Sequence, residues 1–408
     1  MQGGQGMVAN TRVYLSPIGK PRDVEVIQRY FQENFWIKGL IDRDETVIWQ
    51  YPYDRPHAYL LTQLEAYLDL YLATGEQRYL AAVEGGWDLF HKSWENTGGS
   101  ISIVEGENDA PGSNKLYAKM GENCGSAFWI LLNQRLHQLR PDEEKYVTEI
   151  EKSIYNVILA NQDGSHGYRY HTELVGQKEP STRVNTCCEG QGTRLIGSLP
   201  SFIYSMDGDG FYVNLFEPSM LTWGSSDNSI CATLHTEFPR SGRVYLQMRV
   251  EAPLRAVVRI RIPSWASSDV MVSVNDAATI IGRPGTYAVL DRIWNNDDRI
   301  SFVLPVALRA TRYSGSDQIQ GRQRVFLEFG PFLMAAVGSA EMELAIAGDT
   351  DPITIAGQFE PDAGNASHFV LSGSETEFSF PVTLIPYLEV TNQSFSCVPI
   401  VATEYRTL

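Results

Sequence analysis

The stretch Asn185-Thr186-Cys187-Cys188-Glu189-Gly190-Gln191-Gly192-Thr193-Arg194 sets two adjacent cysteines where a helix should begin. Thr186 and Glu189 fit the Ser/Thr-x-x-Glu capping pattern, with Thr186 as N-cap and Glu189 three residues into the helix. Cys187 and Cys188 then occupy the first turn, where free backbone N–H groups and the helix dipole favour thiolate over thiol. A second cysteine of this kind lies in Gly121-Glu122-Asn123-Cys124-Gly125, just ahead of the apolar run Ala127-Phe128-Trp129-Ile130-Leu131-Leu132. Three potential thiolates and a carboxylate, all at helix starts, are what a zinc site needs.

Working outward, the chain reads as helices up to about residue 208. Leu60, Leu61, Leu64, Leu68 and Tyr71 recur at helical spacing between Ala58 and Leu72, and Thr74-Gly75 ends that run. A second helix covers Gln77 to Phe90. Pro141 is expected at the first position of another, with Asp142, Glu143 and Glu144 in its first turn and a stripe of Tyr146, Val147, Ile150, Ile154 and Val157. After the cysteine pair, Leu195, Ile196, Leu199, Phe202 and Ile203 make a further stripe, which Pro200 should kink. Sequential helices joined by short turns suggest an array of α/α hairpins.

The pattern changes at Asp207-Gly208-Asp209-Gly210. Alternating β-branched segments follow, among them Phe211 to Leu215, Arg243 to Val250, Val257 to Pro263, Val270 to Asp276 and Arg299 to Leu304, with turn signals at the intervals of a sandwich. Asn365 to Val390 reads as a further small β unit. The expected fold is therefore α+β and multidomain: helical hairpins over 1–208, an antiparallel β-sandwich over 209–340, and an added β segment over 341–408 that is part of the sandwich or packed on it.

The 408 residues suffice for more than one core, and a 43% hydrophobic fraction is that of a globular protein. With 33 basic against 49 acidic residues the net charge is −16, which argues against nucleic acid or an anionic membrane as partner. Five cysteines, unevenly spread, do not form a disulfide framework, and adjacent cysteines rarely bridge each other. The Gly/Gln-rich start lacks the basic and apolar regions of a signal peptide, so a cytoplasmic location is expected unless a segment lies upstream.

The vicinal cysteines, the Glu-x-Cys upstream and the helix-to-strand order together resemble glycoside hydrolase family 127, the β-L-arabinofuranosidase group. Further points of resemblance are Ala73-Thr74-Gly75, Glu149-Ile150-Glu151-Lys152-Ser153-Ile154-Tyr155-Asn156, Tyr212-Val213-Asn214-Leu215-Phe216, Arg261-Ile262-Pro263-Ser264-Trp265 and Phe329-Gly330-Pro331. The resemblance implies an (α/α)6 toroid followed by β-sandwich domains. It also implies Zn2+ bound by Glu122, Cys124, Cys187 and Cys188, with Cys187 as nucleophile of a retaining furanosidase. The acid/base would be a glutamate in the loop after Gly98-Gly99, either Glu105 or Glu107. His57, Tyr170 and His171 are candidates to line a sugar pocket; a carbohydrate is the expected partner, and a homodimer is allowed for.

Two departures stand against the family pattern. Thr62 falls where the family carries a substrate-binding histidine, with His57 nearby but out of register. Six or seven helices precede the β region where a complete toroid needs twelve, so the toroid would be incomplete. Two other functions are admitted: a toroid-type polysaccharide lyase, and a truncated carbohydrate-binding remnant without catalysis.

Overall fold

The computed structural model describes residues 24–25, 33–46, 59–99, 101, 121–164, 167–181, 184–314, 323–338, 343–345, 351–371 and 382–402. Helices come first: α1 (Glu33–Ile41), α2 (Tyr59–Thr74), α3 (Gln77–Ser93), α4 (Asn123–Leu139), α5 (Lys145–Ser153), α6 (Cys187–Ser198) and α7 (Pro200–Ile203). The apolar stripes of α1 to α4 close on one core that includes Leu40, Leu64, Leu68, Val83, Phe90 and Trp129. Gly85 permits the close approach of α3 to α1, since a Cβ there would stand 1.9 Å from the Leu40 carbonyl oxygen. Gly75 ends α2 at φ +74°, a left-handed conformation glycine adopts without strain, and its N–H caps the Tyr71 carbonyl.

The helix expected to open at Pro141 begins instead at Lys145. Asp142 and Glu143 stay in the preceding turn, and the Glu144 carbonyl accepts the first helical bonds, from Val147 and Thr148. The reason is the Glu144 side chain, which a distant arginine engages. Past Ser153 the helix widens into a π-turn, Ile154–Leu159, that carries Asn156. Asn156 donates to the Pro331 carbonyl and accepts from the Leu333 N–H, both at 2.9 Å, and so ties the helix to a strand far along the chain.

Apart from the short strand Val175–Gly176, strands begin at Tyr204, immediately after α7, and the Asp207–Gly210 turn joins Tyr204–Met206 to Gly210–Val213. A six-stranded antiparallel sheet runs in the order Ser219–Ser225, Asn228–Thr236, Arg243–Val250, Arg299–Val303, Val270–Val274, Ala277–Gly282. A four-stranded sheet runs Thr286–Trp294, Leu254–Ile262, Gly210–Val213, Tyr204–Met206. It is mixed rather than antiparallel throughout, because Gly210–Val213 enters beside Leu254–Ile262 in parallel register. Both sheets share one core, with Val244, Leu246 and Met248 from the first and Val258, Ile260, Leu290 and Trp294 from the second. Alternation in Arg243–Val250 is complete, every second residue being buried. A ten-stranded sheet gathers strands from Leu308 to Ala402 and also takes Val175–Gly176 from the helical part. Among the described residues no helix is long and apolar enough to cross a membrane.

Helices and strands are joined by Arg261, fully buried on the strand Leu254–Ile262. Its Nε donates to Glu144 at 2.7 Å, its Nη2 to Glu151 at 2.9 Å, and its Nη1 to the Asn214 carbonyl at 3.1 Å. Trp265 Nε1 donates to the same Glu151 oxygen at 2.8 Å. Replacing Arg261 with Met would leave two buried carboxylates facing each other and should cost about 3–5 kcal/mol, read as a lowered denaturant midpoint.

A second joint is His137, buried at the end of α4, whose Nε2 meets Ser205 Oγ at 2.8 Å. Burial, with Arg261 adding to it, lowers its pKa from 6.5 to about 4. The native state thus binds this proton less readily than the unfolded chain does. Stability from His137 is complete above pH 6.5 and falls as the pH drops toward 4, by about 3 kcal/mol. The stability difference between wild type and His137→Gln, measured by urea unfolding from pH 7 to 4, should shrink across that window.

Candidate metal centre

Two helix N-termini meet to form the site. Thr186 caps α6, its hydroxyl accepting from the Glu189 N–H at 3.1 Å. The reciprocal bond comes from the N–H of Asn185, one residue earlier than the capping pattern expects, at 2.5 Å to Glu189 Oε2. That shift goes with a left-handed Asn185 at φ 58°. Glu122 precedes α4, which opens with Asn123 and Cys124. Gly192 lets α6 settle onto the core here, because a Cβ at that position would lie 2.2 Å from the Tyr168 ring.

Glu122, Cys124, Cys187 and Cys188 thereby bring one ligand atom each within 4.8 Å of all the others. Cys188 Sγ lies 3.4 Å from Cys124 Sγ and 3.6 Å from Glu122 Oε1, and Cys187 Sγ is also 3.6 Å from Glu122 Oε1. A tetrahedral ion about 2.3 Å from sulfur and about 2.1 Å from oxygen requires ligand–ligand edges of about 3.6–3.8 Å. The spacing therefore fits a bound metal ion. Glu122, Cys124 and Cys188 are buried, while Cys187 is exposed.

The protein's own groups do not favour thiolates here. A hydrogen bond with Cys188 and then burial push the Cys124 thiol far above its ordinary value, and burial raises that of Cys187. At Cys124 and Cys187 this runs against the ionised state expected from their places at helix starts. A cation among them reverses this balance, since metal-bound thiols lose their protons outright.

The donors rest on the segment Tyr168–Thr172. Asn123 N–H donates to the Tyr170 carbonyl at 3.0 Å, and Thr172 N–H to the Gly121 carbonyl at 3.0 Å. The Asn123 side chain donates to the Arg169 carbonyl and accepts from Asn161 and Thr172. The Tyr170 hydroxyl reaches Glu122 Oε1 at 3.1 Å and Cys187 Sγ at 3.7 Å. Behind it, Glu179 accepts from the N–H groups of Tyr170 and His171 at 2.7 and 2.8 Å and meets His171 Nδ1 at 3.1 Å. Asn123, Asn161, Tyr168 and Glu179 escaped the sequence reading, because nothing local in the chain marks contacts that the fold alone creates.

Among the other expected site residues, Tyr170 and His171 stand at the cluster, whereas Glu105, Glu107 and His57 lie outside the described residues. Thr62 is buried within α2. Cys231 and Cys397 lie away from the centre, Cys397 as part of an apolar core. A second acidic group, Glu95 and Glu149 beside His91, is already neutralised by Lys152, which reaches the two carboxylates at 2.6 and 2.8 Å.

Two family descriptions match this sequence: Beta-L-arabinofuranosidase, GH127 catalytic domain, over residues 25–201, and Beta-L-arabinofuranosidase, GH127 middle domain, over residues 210–306. No curated protein matches it. Solved structures share the fold at low identity. A protein titled glycoside hydrolase is 17% identical with a TM-score of 0.72, the alignment covering 95% of this chain and 73% of that one. A GH127 beta-arabinofuranosidase is 17% identical with a TM-score of 0.74, covering 98% and 68%. A GH127 beta-L-arabinofuranosidase from Geobacillus stearothermophilus T6 is 19% identical with a TM-score of 0.66, covering 84% and 60%.

Cys124→Ser should lower both bound metal and thermal stability, because thiolate–metal bonds contribute to folding free energy. Elemental analysis beside a melting curve checks this; equal metal content and an unshifted melt would refute the assignment of Cys124 as a ligand.

Proposed function

The chain belongs to the GH127-like glycoside hydrolases, and on that premise we propose that it is a zinc-dependent retaining glycosidase acting on a furanoside such as a β-L-arabinofuranoside. The observation that carries this reading is the cluster of Glu122, Cys124, Cys187 and Cys188, in which Cys187 alone is exposed. The helical part is read as an incomplete α/α toroid that frames the centre, and the first two sheets as the sandwich behind it. A lyase would leave the three clustered sulfurs without a role.

Zinc held by these four side chains would keep the thiols ionised at neutral pH and temper their nucleophilicity. Cys187 Sγ attacks the anomeric carbon as the glycosidic C–O bond breaks, and Glu105 or Glu107 gives its proton to the departing oxygen. The same glutamate then takes a proton from water, which attacks the anomeric carbon and displaces Cys187 as thiolate. Adjacency on a first helical turn suits this division of labour. Cys188 points into the protein, and Cys187 faces outward where a sugar can arrive. Tyr170, with its hydroxyl against both Glu122 and Cys187, steadies the nucleophile, and His171 beside it offers a polar contact to the sugar.

Cys187→Ala should abolish turnover of an aryl β-L-arabinofuranoside, and a mechanism-based furanosyl inactivator should label Cys187 in the wild type, as read by peptide mass spectrometry. Full activity in the variant would end the proposal. Replacing the acid glutamate should spare substrates with good leaving groups, because protonation matters least for them.

A further inference from the structure

We propose that Glu179 is a positioning residue of this centre, and that it holds His171 in the tautomer whose Nε2 accepts a hydrogen bond from a sugar hydroxyl. This rests on the glycosidase reading for the sugar, and on the contacts of Glu179 for the tautomer. Glu179 comes from the loop after the Val175–Gly176 strand, and no local pattern in the sequence marks it.

One carboxylate performs two tasks. Its Oε1 accepts from two successive backbone N–H groups, those of Tyr170 and His171, at 2.7 and 2.8 Å. Its Oε2 lies 3.1 Å from His171 Nδ1. Hydrogen bonds from His171 and from these backbone groups outweigh the cost of burial and lower the Glu179 pKa, so the group is a carboxylate at neutral pH. A carboxylate can only accept, so Nδ1 must carry the proton, and in the neutral ring Nε2 is left with its lone pair. Arg169 fixes the loop from the other side by donating to the Glu179 carbonyl at 3.1 Å.

The ring so oriented belongs to the metal centre. His171 pairs with Glu122 across a β-bridge, and its ring lies 4.6 Å from that of Tyr170, whose hydroxyl touches Glu122 and Cys187. Glu179 therefore holds two adjacent residues, Tyr170 with its hydroxyl against Cys187 and His171 with its ring packed against Tyr170. Partners of this kind typically change metal affinity or activity by about 10–100-fold when removed.

Glu179→Gln separates positioning from mere support. The two backbone N–H groups demand an acceptor, so the amide oxygen takes their place and the NH2 group turns to His171 Nδ1. Nδ1 must then accept, and the proton moves to Nε2. In protein labelled with 15N-histidine, long-range 1H–15N spectra should show His171 protonated on Nδ1 in the wild type and on Nε2 in Glu179→Gln, with His171→Gln assigning the signal. Zinc content should stay at that of wild type, while KM for an aryl β-L-arabinofuranoside rises and kcat/KM falls about tenfold. His171→Gln should give a similar rise in KM.

A wild-type His171 protonated on Nε2 overturns the proposal by itself, whether or not the variant folds. An unchanged tautomer in Glu179→Gln, or a changed one with KM unmoved, overturns it too. If the wild type shows the Nδ1 proton and binds zinc but turns over no furanoside, the glycosidase reading fails while the role of Glu179 in setting the tautomer stands.

Discussion

The buried guanidinium of Arg261 is the constraint around which this architecture is organised. A charge with no exposure must be matched on every side, and Glu144, Glu151 and the Asn214 carbonyl provide that match from α5 and from the segment following the first hairpin. Burying such an ion pair gives little net stability compared with an apolar contact. What it does give is a single acceptable register between helix and strand, since any other leaves charges without partners. That register fixes α5, whose neighbour α4 carries Cys124 at its opposite end.

The candidate metal centre depends in turn on how two helices start. Helix α4 presents Glu122 and Cys124, α6 presents Cys187 and Cys188, and they are brought together by packing that tolerates only small residues at contact points such as Gly192. Each cysteine is unremarkable alone, and the protein's own groups favour the thiol form of Cys124 and Cys187. The capacity to hold a cation belongs to the cluster and not to any one of them. The fold brings together the four side chains that the sequence resemblance singled out.

Much of this was legible in the chain because its causes are local. The Leu stripe of α2, the Thr186 cap of α6 and the alternation in Arg243–Val250 each declare themselves within a dozen residues. Other features were visible but carried a different meaning. Glu149 to Asn156, Arg261 to Trp265 and Phe329 to Pro331 read as marks of a family; in the structure they meet as Glu151 with Arg261 and Trp265, and as Asn156 with Pro331. They are joints between helices and strands. What could not be read is the set of contacts made across long separations, such as Glu179 behind Tyr170 or Val175–Gly176 pairing with Phe395–Ser396. The acidic turn before α5 misled because helix-dipole reasoning weighs only the near neighbours of Glu144, whereas Arg261 lies 117 residues on.

The π-turn at Ile154–Leu159 gives this part of the chain a sharp intolerance to changes in length. A π-turn holds one residue more than an α-turn, so it sets the angular phase of everything that follows. Asn156 within it faces the strand beginning at Phe332, and Asn161 just beyond it supports Asn123 and Thr172 beside the metal donors. The turn has already taken up its one extra residue, so inserting another there would rotate Asn161 by about 100° away from the centre. Substitutions along this helix can be absorbed one side chain at a time; an insertion displaces the whole scaffold of the site at once, so variation among natural relatives should alter the letters of this segment without lengthening it.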